Sequence, residues 1–192
     1  TWTYDLDADQ ADVLNAGDVV TETFDVVSAD GTTTQTVTVT ITGTNDLPLV
    51  GGTASDTLTE GDTALQAGGQ LTITDVDEGE SSFVEQTGST GSHGTFSVDS
   101  TGAWTYDIDA PTADALSEGQ VVTETFDVVS ADGTTTQTVT VTVTGTNDQP
   151  EVVSHTATAS EDDSFLITSE FLLQQSDDVD AGDVLTVTDV ST

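Results

Sequence analysis

The chain has 192 residues, 36 of them Asp or Glu, two His and no Lys or Arg, for a formal net charge of −36. No conventional salt bridge can form, and nothing offsets the repulsion of a phosphate backbone or an anionic membrane, which argues against both as partners. The absence of Cys removes disulfide and thiolate chemistry, and no apolar run is long enough to span a membrane, so no membrane insertion is expected in this segment.

A chain this acidic reads as disordered unless an apolar pattern opposes it. The pattern is present from the start. "WTYDLDADQADVLNAGDVVTETFDVVSADGTTTQTVTVTITGTNDLP" begins at Trp2 and returns, without a gap, from Trp104, with 38 of 47 positions identical. The period of 102 residues is that of one immunoglobulin-sized domain and is too long for a solenoid coil. Residues 1–47 therefore read as the C-terminal half of a repeat and 48–148 as a complete repeat. Residues 149–192 read as the N-terminal part of a third, so three repeats meet at two junctions.

Within the complete repeat, "QAGGQ" (66–70) reads as a glycine-bearing turn, "DVDEGE" (75–80) as an acidic turn and "TGSTGSHG" (87–94) as another glycine-bearing turn. "WTYDID" from Trp104 is an alternating strand, and "PTADALSEG" (111–119) can hold a helical turn. "VVTETFDVV" puts Phe126 and Val128 on one face and Thr125 and Asp127 on the other. "SADG" (130–133) turns the chain. "TQTVTVTVTG" then alternates Val139, Val141 and Val143 with Thr. In the last segment "TSEFLLQQ" can hold a helical turn and "DDVDAGD" (177–183) is a second acidic turn. The fold class is all-β, with about seven short strands per repeat in a two-sheet sandwich.

The acids gather at these turns: "TYDID", "DVDEGE", "SADG", "TND" and "DDVDAGD". A hard cation such as calcium takes about six to eight oxygens from carboxylates, Asn side chains and carbonyls. Two readings stand side by side here, metal ligands or a solvated acidic coat. Trp2 and Trp104 sit in alternating strands, where a core role outweighs sugar stacking. His93 and His155 are single, and exposed turn or strand positions are expected for them. No nucleophile elbow, His-centred constellation or phosphate loop appears, so an enzyme is not expected.

The order of the motifs adds a resemblance. "TVTVTVTGTNDQP" resembles the cadherin linker pattern DxNDNxP, without its first Asp and second Asn. "SVDSTGAWTYDID" resembles the cadherin stretch ending in LDRE, with Asp109 in the place of its Glu. "DVDEGE" resembles the Asp-x-Asp turn, "VVSADG" the Asp-Gly turn, and Glu60 and Glu161 lie near repeat starts as the first calcium-binding Glu does. "GSHGTFSVDSTGAWTYDIDA" with "GTTTQTVTVTVTGTNDQP" resembles the VCBS-type, cadherin-like repeats of large bacterial RTX adhesins.

The resemblance implies tandem immunoglobulin- and cadherin-like Greek-key sandwiches in a linear array, with Ca2+ between neighbours. At the first junction it implies Asp5 and Asp7 from the leading half, Asn45 and Asp46 from the linker, and Asp75, Asp77 and Asp132 from the next repeat. At the second it implies Glu60, Asp107 and Asp109, then Asn147 and Asp148 from the linker, and Asp178 and Asp180 from the third repeat. Asp30 and Glu161 would face junctions outside the fragment. The Asn-Asp-x-Pro string is then a short linker that feeds ligands to ions, with Pro48 and Pro150 limiting its backbone freedom.

The implied function is a calcium-rigidified extender rod of a type I secreted adhesin on a bacterial cell surface, projecting distal ligand-binding domains for attachment and biofilm. Its partners would be adjacent repeats and calcium ions. A glycan-binding sandwich, an accessory region of a secreted hydrolase and simple salt adaptation are the alternatives.

Overall fold

The computed structural model describes residues 1–61, 65–162 and 164–189. In chain order the elements are α1 (Ala8–Ala11), β1 (Val19–Val27), β2 (Thr34–Thr42), β3 (Leu49–Gly52), β4 (Ser55–Thr59), β5 (Gln66–Thr74), β6 (Gln86–Thr90) and β7 (Gly94–Val98). They continue with β8 (Ala103–Ile108), α2 (Ala110–Ala113), β9 (Val121–Val129), β10 (Thr136–Thr144) and α3 (Ser169–Leu172).

The Val-Thr alternation becomes a buried and a solvent-facing side. Val139, Val141 and Val143 of β10 are wholly buried, and the Thr residues between them are not. β8 does the same with Trp104, Tyr106 and Ile108 against Thr105 and Asp107. β4, β10 and β9 form one sheet; β3, β5, β8, β7 and β6 form the other. β10 pairs antiparallel with β9 and parallel with β4, from Thr140 opposite Ser55 to Thr144 opposite Thr59.

The core lies between the two sheets. Phe96 of β7 stacks on Phe126 of β9 with centroids 4.6 Å apart and planes 6° from parallel. Trp104 packs 6.0 Å from Phe96 and donates its indole N–H to Thr53 O at 2.7 Å. Leu71, Val98, Val128 and the β10 valines close around them. Burying rings of this size is the largest favourable contribution a small sandwich has.

The structure corrects three local expectations. "QAGGQ" is not a turn but lies in β5, where Gly69 passes under the Trp104 ring. A Cβ on Gly69 would sit 2.8 Å from the indole. At Gly69 the ring leaves no room for a side chain, and at Gly68 a Cβ would press on the Trp104 carbonyl oxygen at 3.0 Å. Among the described residues eight strands, one more than the approximate seven expected, run between residues 49 and 144, because the entering run divides into β3 on one sheet and β4 on the other. His93, expected to be exposed, is half-buried. Its backbone N–H and Nδ1 meet Glu124 Oε1 at 2.6 and 2.9 Å, and Ser92 N–H donates to Glu124 Oε2 at 3.0 Å. Glu124 is on the inward side of β9, and these donors satisfy a carboxylate the core would otherwise reject.

The leading segment repeats part of this architecture. β1 and β2 pair in the register of β9 and β10, with Phe24 opposite Val37 as Phe126 is opposite Val139. Its apolar face is open: Trp2 is 61% exposed, whereas its counterpart Trp104 is 1% exposed. Among the described residues no second sheet covers it. After β10 the chain forms α3, capped by Thr168 accepting from Phe171 N–H at 3.2 Å, and a single bridge between Glu151 and Asp177. Among the described residues 149–189 form no strand, and residues 190–192 of the third segment lie outside the description.

Candidate metal-binding junctions

The two acidic turns have one design. Asp75-Val-Asp77-Glu-Gly79-Glu80 corresponds to Asp178-Val-Asp180-Ala-Gly182-Asp183. In each, the first Asp accepts from the N–H of the second: Asp77 N to Asp75 Oδ1 at 3.0 Å, Asp180 N to Asp178 Oδ1 at 3.1 Å. In each, the fourth-position N–H reaches back to a loop about a repeat's half earlier: Glu78 N to Val13 O at 3.2 Å, Ala181 N to Ala115 O at 3.1 Å. The same position's carbonyl accepts a side chain, from Asn15 Nδ2 at 3.2 Å or Ser117 Oγ at 2.9 Å.

The linkers dock in the same way. Asp46 N–H donates to Asp77 Oδ2 at 2.7 Å, and Asp148 N–H donates to Asp180 Oδ2 at 2.9 Å. Asn45 and Asn147 each turn their amide NH2 onto the carbonyl of the following Asp. Asn45 also reaches Asp132 Oδ2 at 3.4 Å. Asp77 and Asp180 are 2% and 3% exposed, so both linkers rest on buried carboxylates.

Asp132 is held by its own turn. Burial raises its pKa, but the hydroxyl of Ser130, the hydroxyl and N–H of Thr134, and Asn45 outweigh that and bring it to about 2. Asp30, at the equivalent place in the leading segment, is likewise lowered to about 2, by Ser28 and Thr32. Glu80 moves the other way. Burial raises its pKa, and the charges of Asp77, Asp132, Asp75 and Asp18 raise it further.

Carboxylate oxygens come together twice among the described residues. Asp75, Glu80 and Asp132 bring theirs within 4.8 Å of one another, and so do Asp178, Asp180 and Asp183. Like charges this close repel one another. No Lys or Arg exists to relieve them. Oxygens are also left without a hydrogen-bond partner while buried: Asp75 Oδ2, Asp77 Oδ1, Glu80 Oε2 and Asn15 Oδ1 at the first turn, Asp180 Oδ1 at the second. Glu60 docks on Thr146 at the start of the second linker and is not one of the grouped carboxylates. It is 4% exposed, its Oε1 accepts from the N–H and hydroxyl of Thr146, and its Oε2 has no partner. Buried, unpartnered, all-oxygen donors fit a hard divalent cation, which neutralises charge and fills lone pairs at once.

The remaining expected ligands stand apart from these groups. Asp5 and Asp7 are exposed, and Asp7 precedes α1 without capping it through its side chain. Asp107 is on the outer face of β8, where Gln66 Nε2 donates to it at 2.5 Å, and Asp109 precedes α2 and accepts from Thr112. Neither joins the carboxylate groups found among the described residues. Glu80, Asp183 and Asn15 were not among the expected ligands. For the first two the sequence shows only that the sixth position of each acidic turn is an acid, which by itself does not separate a ligand from a solvated side chain.

A family model described as a bacterial cadherin-like domain matches residues 45–145. No curated protein matches the chain. Among the described residues no helix is long and apolar enough to cross a membrane.

Proposed function

The chain belongs to the bacterial cadherin-like domain family, and from that premise we propose that it is a calcium-rigidified extender segment of a secreted bacterial surface adhesin. In this reading residues 1–47, 48–148 and 149–192 are parts of three consecutive repeats, of the VCBS type found in RTX adhesins. Ca2+ binds where they meet, and the segment projects distal ligand-binding domains for attachment and biofilm formation. The export route is type I secretion, and the segment catalyses nothing.

One observation carries the reading: the same linker-to-turn arrangement is built twice, Asp46 on Asp77 and Asp148 on Asp180, each beside a cluster of carboxylates with buried unpartnered oxygens. A solvated acidic coat has no need to bury Asp77 and Asp180 or to point them at other acids. Asp75, Asp77 and Asp132, with Asn45 and Asp46, would hold the cation at the first junction. Glu60, Asp178 and Asp180, with Asn147 and Asp148, would hold it at the second. Bound Ca2+ supplies positive charge the chain lacks and stabilises the folded state by mass action. Asp5, Asp7, Asp107 and Asp109 complete the ligand sets if the segments close further around the ion.

The test is thermal unfolding of the chain in calcium, in magnesium and in chelator at matched ionic strength. A midpoint raised by calcium far more than by magnesium supports the reading. Equal midpoints in all three leave the carboxylates as a solvated coat and overturn it.

A further inference from the structure

We propose that Glu80 and Asp183, the sixth residues of the two acidic turns, are themselves cation ligands and not bystanders at the turn. The inference rests on the reading that the junctions bind a divalent cation, and it extends the ligand set beyond the residues that the cadherin-like motifs mark.

At the first junction most carboxylate oxygens are already used by the protein. Asp132 accepts from Ser130, Thr134 and Asn45, Asp77 Oδ2 accepts from Asp46 N–H, and Asp75 Oδ1 accepts from Asp77 N–H. The oxygens left over are Asp75 Oδ2, Asp77 Oδ1, Glu80 Oε2 and Asn15 Oδ1, all buried. Glu80 is thus a carboxylate that reaches the cluster without a donor from the protein to receive it.

A Glu side chain with three rotatable bonds and four like charges nearby would swing into water if nothing else acted on it. Glu80 instead puts an oxygen within 4.8 Å of those of Asp75 and Asp132. At the second turn the residue is Asp183, one methylene shorter, and its neighbour two positions back is Ala181 where the first turn has Glu78. The local sequence has changed, yet the sixth-position acid again meets the turn's carboxylates. The group it joins includes Asp180, which is 3% exposed and keeps Oδ1 buried without a partner. That oxygen is an independent mark of a missing positive partner in the same cluster.

A site so built is rich in formal charge. Asp75, Glu80 and Asp132 bring three carboxylates within 4.8 Å of one another, with Asp77 in the same turn, and ligand charge count is a main determinant of calcium affinity. A trivalent lanthanide, having similar oxygen preferences and one more charge, should bind the same site.

The experiment uses the full 192-residue chain and compares the parent with Glu80→Gln, Asp183→Asn, the double variant, and Glu85→Gln, an exposed acid outside both clusters. Calcium binding is followed by calorimetric titration and by competition with terbium luminescence, and each variant is melted in chelator. The expected result is a loss of about tenfold or more in calcium affinity at the altered junction, and weakening at both sites in the double variant. In chelator the variants should melt no lower than the parent, because a repelling charge has been removed. If Glu80→Gln and Asp183→Asn bind calcium as Glu85→Gln does, the inference fails and the junction reading stands. If they lose stability equally in calcium and in chelator, the acids have only a structural role and the inference fails. If the parent itself binds neither calcium nor terbium, the junction reading fails and this inference with it.

Discussion

The backbone N–H of Asp148 donates to Oδ2 of Asp180 at 2.9 Å, and Oδ1 of the same carboxylate stays buried without a partner. One oxygen docks the linker and the other is free for a cation. The two roles separate by substitution. Asp180→Asn keeps an acceptor for the Asp148 N–H but removes the charge, so it should melt no lower than the parent in chelator and lose much of any calcium-dependent rise. Asp180→Ala loses the acceptor as well and should be destabilised even in chelator, by about 1–3 kcal/mol. Melting both variants with and without calcium checks this. A calcium response in Asp180→Asn equal to the parent's would mean that Oδ1 is not a ligand.

Gly69→Ala should destabilise the sandwich. Its Cβ would fall 2.8 Å from three atoms of the Trp104 indole, a ring that is 1% exposed and held by Thr53 O. Overpacking of this kind costs about 1–3 kcal/mol. Denaturant unfolding of the variant measures it, and a change near zero would show that the ring can move aside.

Asp99 gives an acid-dependent prediction. The hydroxyl of Thr101 lowers its pKa; burial opposes this, and the N–H groups of Ala103, Thr101 and Gly102 lower it further. A carboxyl whose folded pKa lies below its unfolded value of 3.8 adds stability above that value and loses it as pH falls through the folded one. The stability difference between the parent and Asp99→Ala should therefore be constant from neutral pH down to about 4 and shrink below it. Unfolding curves from pH 7 to pH 2.5 test the sign. A difference that grows on acidification would contradict it.

The two tryptophans should report two environments. Trp104 is buried against Phe96 and Trp2 is 61% exposed. Trp2→Phe should leave blue-shifted emission that acrylamide quenches poorly, and Trp104→Phe should leave red-shifted, easily quenched emission. Identical quenching in the two variants would mean that the open face at Trp2 is covered in solution.

Val139, Val141 and Val143 were legible because a period of two says which face is buried, whatever does the burying. The turns were legible because Asp and Gly tolerate their backbone. The glycine-bearing run of β5 does not read as a strand because Gly69 answers to a ring 35 residues away at Trp104, and nothing local distinguishes that demand from a turn's. Glu124 was missed for a similar reason. It looks like one more surface acid until the Ser92 and His93 amides are folded onto it. At the junctions the recurring Asn-Asp-x-Pro string and the Asp-x-Asp pairs could be read directly. Glu80 and Asp183 could not be told from solvated acids, because only the folded turn brings the sixth side chain back to the first.

The parallel pairing of β4 with β10 gives the central sandwich a direction of strength. The chain enters just before β3 and leaves just after β10, so once the short β3 has come away from β5, tension drawn along it pulls β4 backwards and β10 forwards, along the line of their contact. The five paired positions from Ser55–Thr140 to Thr59–Thr144 are then loaded in shear, and their hydrogen bonds must yield together and not one after another as in a peeled hairpin. Resistance to stretching would therefore be concentrated in that short seam, and a proline placed within β4 should weaken the domain under a pulling force far more than its cost to equilibrium stability would suggest.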